Sequence, residues 1–279
     1  MKKYDLTVSL VLFKSNPAIV GQAIDSVYKS SLNFKLYLID NSPTNELQTL
    51  KKDDRTEYIF NNKNLGFGKA HNIALRRAVE ESSYHLVLNP DIYFHEHVLE
   101  DLFQYMEKNK NIGQVMPKIL YPDGSVQHLC KLLPTPTDLL LRRFFSWLPG
   151  FKERNKRYEL IDSGYNKIMN IPYLSGCFMF LRSESLQKVG FFDEAIFMYI
   201  EDADLTRRIH QQYQTIFYPA VQVYHYYAKG SYKNFKLMLY NIHGAAVYFT
   251  KWGWLFDSER KKINQQIVNE YLNLTDSNA

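Results

Sequence analysis

About the first hundred residues repeat one pattern: a short apolar run of β type, a polar turn and then a segment with helical spacing. The β-type runs cover residues 6–13, 34–39, 57–60 and 84–88, and helical spacing covers residues 18–29 and 69–80. Strands that alternate with helices predict βαβ units. The expected fold is therefore α/β, with a Rossmann-like, mostly parallel central sheet flanked by helices.

Polar residues follow the end of each predicted strand. Because right-handed crossovers bring the carboxyl ends of parallel strands to one edge of a sheet, these residues should converge there. Open α/β sheets bind ligands at that edge. The residues expected to converge are Asn16, Asp40, Asn62 and Asp91.

The composition describes a globular chain. Its 279 residues are 46% hydrophobic and 23% charged, which suffices for one large core or two modest ones and excludes general disorder. The net charge of +5 permits contact with acidic surfaces, but no nucleic-acid motif accompanies it, so no nucleic-acid partner is expected. Cys130 and Cys177 lie far apart, which suggests neither a disulfide framework nor a zinc cluster.

Two basic and aromatic stretches bear on location. Residues 139–158 and 229–262 mix Lys and Arg with large apolar side chains, a pattern typical of a lipid interface but also of a mobile lid or of ordinary docked helices. The early apolar run is too short for a secretory signal, and no run approaches the roughly 20 residues of a membrane span. The expected location is cytoplasmic, with peripheral contact to the inner membrane face left open.

Three groups of residues suit a nucleotide ligand. Asp91, in Asn89-Pro90-Asp91, can reach a divalent cation that bridges two phosphates, although such residues often form only a turn or a helix cap. Asp40 can accept hydrogen bonds from a base or ribose, or can form an Asx-turn. Residues 66–72 bring Gly66, Gly68 and Lys69 to a helix start, which favours an anion but matches no standard phosphate loop.

A fourth group suits acid–base chemistry. Glu201 and Asp202 stand at a predicted helix start, where one carboxylate can act as general base toward a sugar hydroxyl. The alternative is helix capping, with Asp204 paired to Arg207 or Arg208. His225 follows another predicted strand and can complete a metal site or serve the structure alone.

Taken in order, these motifs resemble glycosyltransferase family 2, of the GT-A fold, and most closely its bacterial rhamnosyltransferase branch. The resemblance runs from residue 5 to about residue 262. It includes residues 190–194, which lead toward Glu201, and residues 248–254. The motifs that carry it are Asp40, Gly66, Gly68, Asn72, Asn89-Pro90-Asp91, Glu201-Asp202, and His225 followed by Gly230-Ser231.

The resemblance implies an inverting transfer from a nucleotide-activated sugar, with Mg²⁺ or Mn²⁺ bridging the diphosphate. Asp202 would be the catalytic base, with Glu201 positioning it or contacting the acceptor, and Asp91 and His225 would bind the metal. Asn89 stands where many members carry an aspartate, so one metal-binding carboxylate is missing. The expected nucleotide-sugar-binding residues are Phe13, Asp40, Asn41, Asn62, Gly66, Gly68, Lys69, Asn72, Asn89 and Asp91.

The resemblance also suggests partners. The expected donor is dTDP-rhamnose, with a UDP-hexose or UDP-galactofuranose as the alternative, and the expected acceptor is a glycan or lipid-linked saccharide in surface polysaccharide synthesis, such as O-antigen or capsule. A non-catalytic nucleotide-sugar-binding subunit is the competing function. Residues 1–231 would form the catalytic domain and residues 232–279 a helical extension, packed on that domain or at a membrane surface. Formation of a homodimer through the C-terminal helices stays open.

Overall fold

The structure is a computed structural model that describes residues 2–141, 150–226 and 235–272, the side chains of residues 140 and 141 excepted. Part of the basic stretch at 139–158 lies outside these ranges, as do Gly230, Ser231 and the predicted domain boundary at 231/232. The boundary therefore stays a prediction.

The described residues form strands and helices in alternation. The strands are β1 Tyr4–Leu12, β2 Phe34–Asp40, β3 Thr56–Phe60, β4 Ser82–Leu88, β5 Ile92–Tyr93, β6 Ile112–Leu120, β7 Cys130–Lys131, β8 Met169–Asn170, β9 Tyr173–Leu174, β10 Phe178–Arg182 and β11 Gln214–His225. The α-helices are α1 Pro17–Tyr28, α2 Gly68–Glu81, α3 Val98–Lys108, α4 Phe151–Tyr158, α5 Ser183–Val189, α6 Glu201–His210, α7 Phe235–Trp252 and α8 Ser258–Tyr271.

The central sheet has the strand order β3-β2-β1-β4-β10-β6-β11-β5, and β8 pairs with β11 beside this path. Strands β1 to β4 are parallel, β6 and β11 are parallel to each other, and β10 is antiparallel to both β4 and β6. The predicted α/β fold with a mostly parallel sheet is confirmed. The short strands β5 and β8 also pair antiparallel with β11. The direction of β10 was not predicted, because a strand buried along its whole length carries no pattern that encodes direction.

Local contacts explain where the first helix begins. Asn16 caps α1, because its side-chain oxygen accepts a hydrogen bond from the Ala18 backbone N–H at 2.9 Å, and Pro17 occupies the first helical position. Asn16 was expected at the ligand-binding edge, and it lies after β1 as predicted, but its observed contact is this cap. The predicted β4 and α2 are both confirmed to within two residues.

The C-terminal helices pack on the sheet domain. On α8, Ile267, Val268 and Tyr271 join the main hydrophobic core. The inner face of α7 packs through Ala245 and Phe249 against the segment that leads into α6. Among the helices of the described ranges, none combines the length and apolar character that crossing a bilayer requires.

Buried polar side chains link β1, β4 and α2. The Ser9 hydroxyl forms hydrogen bonds with His85 Nε2 at 2.8 Å and with His71 Nδ1 at 2.7 Å, and Thr7 Oγ1 bonds His85 Nδ1 at 2.8 Å. Burial lowers the pKa of His85 to about 3. Burial, together with the neighbouring His85, also holds the pKa of His71 well below its ordinary value. Both imidazoles are therefore neutral in the folded protein at neutral pH.

We expect the free energy of unfolding to decrease as the pH falls from about 8 to about 5, because the unfolded chain then binds protons that the native state excludes. At about pH 5, the neutral His85 alone should account for a decrease of roughly 2 kcal/mol in the free energy of unfolding. Urea unfolding followed by circular dichroism measures this slope. His85→Gln should make the slope shallower, whereas His95→Gln, at an exposed histidine, should not. A slope unchanged by His85→Gln would contradict the prediction.

Candidate active site

A cavity of about 480 Å³ opens where β4, β10 and β11 meet the start of α6. The predicted edge of the sheet therefore does carry a site. The polar and charged side chains that line it are Asn89, Asp91, Lys131, Asp138, Tyr158, Tyr173, Ser175, Tyr199, Glu201, Asp202, His225 and Asn241. The structure thus brings five of the predicted residues into one cavity, namely Asn89, Asp91, Glu201, Asp202 and His225.

Asp91 and His225 face each other in this cavity. His225 Nε2 lies 3.2 Å from Asp91 Oδ1, and His225 Nδ1 lies 3.0 Å from Gln127 Oε1. The amide of Gln127 is oriented by its own Nε2, which donates to the backbone carbonyl of His225 at 2.9 Å. Gln127 therefore accepts the Nδ1 proton, and the Nε2 lone pair of a neutral His225 points at the carboxylate.

Two electron-pair donors that face each other at this distance need a cation between them. A proton can supply it, and so can a divalent metal ion held by Asp91 and His225. A mixed set of one carboxylate and one imidazole suits Mn²⁺ better than Mg²⁺, which prefers oxygen ligands alone. No group of three His, Cys, Asp or Glu side chains suited to a metal occurs in the described part of the chain. The residues present fit an ion whose other ligands come from water or a bound diphosphate.

Asp202 is held at the amino-terminal end of α6 by backbone N–H groups. Its Oδ2 accepts from Gly176 N at 2.8 Å, and its Oδ1 accepts from Ala203 N at 2.8 Å. Burial raises the pKa of Asp202, while the nearby Lys131 ammonium, these N–H groups and the Tyr173 hydroxyl act in the opposite direction. A fixed carboxylate with a raised pKa beside an open cavity is suited to accept a proton.

Glu201 is more deeply buried than Asp202. The residue is 5% exposed, and its Oε2 has no hydrogen-bond partner in the part of the chain that the structure describes. Burial raises the pKa of Glu201 well above its ordinary value, and the adjacent charge of Asp202 raises it further. The two residues before it, Tyr199 and Ile200, have φ values of 73° and 69°, in the left-handed region that side chains other than glycine seldom adopt. Strain of this kind is typical of functional sites.

Three glycines allow the backbone to pass close to Asp202 and to the segment that leads into α6. At Gly66, with φ of 84°, a Cβ atom would lie 2.1 Å from the Phe197 carbonyl oxygen, and at Gly176 it would lie 2.9 Å from Asp202 Cβ. A Cβ atom at Gly68 would lie 2.7 Å from Phe192 Cβ. Gly66 and Gly68 thus contact the segment before α6, and their predicted part in a nucleotide pocket stays a prediction.

Asn72 also connects α2 to the segment before α6. Its Nδ2 donates to the Phe192 carbonyl at 2.9 Å, and its Oδ1 accepts from Phe192 N at 3.1 Å. Asn72 is buried, and it also contacts Glu194, which forms an ion pair with Lys69 at 3.5 Å. Asn72 and Lys69 therefore tie α2 to residues 192–194, and direct contact of either with a nucleotide stays a prediction.

Asp40 forms the Asx-turn that the sequence analysis left as its alternative. Its Oδ1 accepts from Ser42 N at 2.8 Å, its Oδ2 accepts from the Tyr58 hydroxyl at 2.6 Å, and the side chain is buried. The side chain of Asn41 bonds Gly66 O at 3.1 Å and Asn61 Nδ2 at 2.9 Å. Neither residue lines the cavity, and their contact with a base or ribose stays a prediction.

The other predicted ligand residues differ in exposure. Phe13 is exposed at the end of β1, and Asn62 is exposed with φ of 50°. Asn89 is half-buried in the cavity, and its backbone N–H donates to Cys177 O at 2.8 Å. Asp204 pairs with Arg208 at 2.9 Å and not with Arg207, which binds Asp257 instead. Asp204, outside the cavity, thus forms the ion pair with Arg208 that the alternative predicted, and it also pairs with Lys251 at 2.8 Å, whereas the backbone N–H of Ala203 at the start of α6 donates to Asp202.

Among the residues that contact or charge-pair with the predicted site groups, sequence reasoning missed Gln127, Lys131, Tyr173 and Gly176. All four come from the stretch between β6 and β10, which carries no motif and little periodicity. A glycine between two apolar strand segments is a general sign of close backbone approach, and Gly176 fits it. No comparable signal marks Gln127 or Lys131.

Curated relatives support the resemblance seen in the motifs. The low-salt glycan biosynthesis hexosyltransferase Agl10 of Haloferax volcanii is 25% identical over 212 residues, 75% of this chain and 62% of the relative. The N-acetylglucosaminyl-diphospho-decaprenol L-rhamnosyltransferase of Mycobacterium tuberculosis is 27% identical over 180 residues, 59% of this chain and 57% of the relative. The chain thus spans less than two thirds of the length of these relatives.

Fold comparison agrees. A crystal structure of GalNAc-T7 with UDP, GalNAc and Mn²⁺ superposes with a TM-score of 0.66 at 15% sequence identity, over 97% of this chain and 57% of that one. This likeness concerns the GT-A fold. The model of glycosyl transferase family 2 matches residues 10–190, which include the end of β1, all of β2 to β4 and the Asp91 turn. From this match, the fold and the ordered motifs, the chain belongs to glycosyltransferase family 2.

Proposed function

We propose that this chain transfers a sugar from a nucleoside-diphosphate sugar to a hydroxyl group of a saccharide acceptor, with inversion at the sugar C1. The observation that carries the proposal is the shared cavity: a pair of metal-competent side chains, Asp91 and His225, and a fixed carboxylate, Asp202, open into the same space. Family membership supports the class of reaction.

Each group of this chain has a distinct task in that reaction. Asp202 accepts the proton of the acceptor hydroxyl as that oxygen attacks the sugar C1 from the face opposite the diphosphate. Asp91 and His225 would hold Mn²⁺ or Mg²⁺, which when bound offsets the negative charge that grows on the departing diphosphate. Lys131 and Tyr173 orient Asp202 and moderate its pKa. Glu201 positions Asp202 or contacts the acceptor.

For the donor we propose dTDP-rhamnose, and for the acceptor a lipid-linked saccharide. The support is the similarity to the rhamnosyltransferase of M. tuberculosis, whose name specifies a diphospho-decaprenol carrier. The hexosyltransferase of H. volcanii is a relative of comparable identity and favours a hexose donor as the second candidate. A binding subunit without activity is disfavoured. The buried, unpartnered Glu201 oxygen lowers stability, and such a cost is typical of residues that are kept for catalysis.

A thermal-shift panel tests the donor. The melting temperature is measured with dTDP, UDP, GDP, CDP and ADP, each with and without Mn²⁺, because a ligand that binds the native state raises it. We expect a metal-dependent increase that is largest with dTDP. An increase with UDP alone would replace the donor and keep the reaction, and no increase with any nucleotide at millimolar concentration would overturn the proposed function.

A further inference from the structure

Three consecutive apolar side chains project into solvent between α7 and α8. Trp254, Leu255 and Phe256 are 43%, 80% and 96% exposed. Single exposed apolar residues are common, but a contiguous group on a protein surface marks an interaction site. We call residues 253–257 the apolar turn.

The apolar turn is held in place by buried groups. Gly253 has φ of 99°, and a Cβ atom there would lie 2.6 Å from the Phe256 carbonyl oxygen. The buried Arg260 guanidinium donates to the carbonyls of Gly253 at 3.4 Å and Trp254 at 3.3 Å. Asp257 caps α8 by accepting from Arg260 N at 2.9 Å. These contacts therefore stabilise the turn conformation that directs the apolar side chains outward.

The same turn is bound to the helix that carries Asp202. Asp257 forms two hydrogen bonds with the Arg207 guanidinium of α6, at 2.8 Å and 2.9 Å. Arg207 is buried, and its Cζ lies 4.0 Å from the centre of the Trp252 ring. A buried bidentate pair with a stacked aromatic ring is rigid. The apolar turn is thus bound directly to α6.

Positive charge surrounds the apolar turn. A surface groove of about 690 Å³ is lined by Leu255 and Phe256 together with Arg157 and Lys261. Arg157, Lys261 and the next residue, Lys262, are exposed. The carboxylates of Asp257, which belongs to the turn, and of Glu259, which follows it in the chain, both form ion pairs with Arg207. The occupant of this surface should therefore be apolar and negatively charged.

The outward face of α7 carries a second group of exposed apolar side chains. Phe235, Leu239 and Ile242 recur at helical spacing and are exposed, although the opposite face of α7 is buried against the protein. Asn241, on the same helix, lines the candidate active site. A helix that is apolar on its outer face as well as its inner one needs a second apolar environment.

We propose that the apolar turn and the outer face of α7 dock on the surface of an anionic phospholipid bilayer. Leu255 and Phe256 enter the interface, and Arg157, Lys261 and Lys262 contact the lipid headgroups. The Asp257–Arg207 pair then fixes the orientation of α6, so that the cavity lies beside the membrane. The biological purpose of this docking rests on the proposed function, because transfer to a lipid-linked acceptor has to take place at a membrane. The binding to the bilayer itself requires neither donor nor acceptor.

Vesicle flotation of the full chain tests the proposal. We expect flotation with vesicles of phosphatidylcholine mixed with phosphatidylglycerol, much weaker flotation with phosphatidylcholine alone, and a decrease in high salt. The double variant Leu255→Ser/Phe256→Ser should lose flotation. Lys261→Gln and Lys262→Gln should each weaken the partition coefficient about fivefold. Ile168→Ser, at an apolar residue 49% exposed and outside this surface, is the matched control and should float like the wild type.

Melting curves of every variant, followed by circular dichroism, separate loss of flotation from loss of fold. Absence of wild-type flotation with anionic vesicles overturns the proposal, as does a double variant that floats normally. A concentration-dependent dimer in sedimentation equilibrium that the double variant abolishes, with no vesicle binding, would assign the surface to a second copy instead. A failure of the nucleotide panel alongside normal flotation would overturn the transferase proposal and leave the docking surface intact.

Discussion

Replacement of Asp202 by asparagine is expected to lower the rate of sugar transfer about a thousandfold while leaving donor affinity near the wild-type value. The amide has nearly the shape of the carboxylate, and its oxygen can still accept from Gly176 N, although the oxygen that accepts from Ala203 N is replaced by a nitrogen. It cannot accept the proton of the acceptor hydroxyl. Nucleoside diphosphate release under single-turnover conditions measures the rate, and titration calorimetry with the nucleoside diphosphate measures affinity.

The pH profile of the wild type gives a second measure of Asp202. The base acts in its ionised form, and burial raises its pKa above that of an ordinary aspartate. Activity should therefore fall on the acid side at a higher pH than a solvated aspartate would produce. Asp162→Asn, at an exposed aspartate outside the cavity, serves as the control and should retain both the rate and the profile. A wild-type rate for Asp202→Asn would rule out its role as base.

Replacement of Asp91 by asparagine should weaken Mn²⁺-dependent donor binding by at least about a hundredfold, because it removes the one carboxylate of the Asp91–His225 pair. Gln127→Leu should weaken it by about ten- to a hundredfold, because His225 then loses the partner that orients its ring. Electron paramagnetic resonance of free Mn²⁺ measures metal affinity without the reaction, and calorimetry measures nucleotide affinity with and without Mn²⁺.

The two variants also test each other. If Gln127 acts only by orienting His225, then Gln127→Leu in an Asp91→Asn background should add little further loss, because the site is already broken. Full Mn²⁺ affinity in Asp91→Asn would show that the ion binds elsewhere. An Asp162→Asn protein should again behave as the wild type.

Individual residues show why only part of the candidate site could be predicted from the sequence. Asp91 follows a predicted strand, so its position at the ligand-binding edge follows from the handedness of βαβ crossovers. Asp202 and His225 were predicted instead from their places at a helix start and a strand end and from the family resemblance. Asp40 and Asn72 also stand at such ends, but their side chains are used inside the fold, by the Tyr58 hydroxyl and by the Phe192 backbone. Position along the chain does not reveal which partner a side chain selects.

The sequence by itself determined the alternation of strands and helices, the family and the edge of the sheet where the cavity opens, because each depends on short-range patterns and ordered motifs. Only the tertiary structure decided that β10 runs antiparallel, that Gln127 and Lys131 support the site, and that Arg207 ties α6 to the apolar turn. These last features are contacts between residues far apart in the chain, and their energies depend on distance, burial and hydrogen-bond geometry that no local pattern encodes.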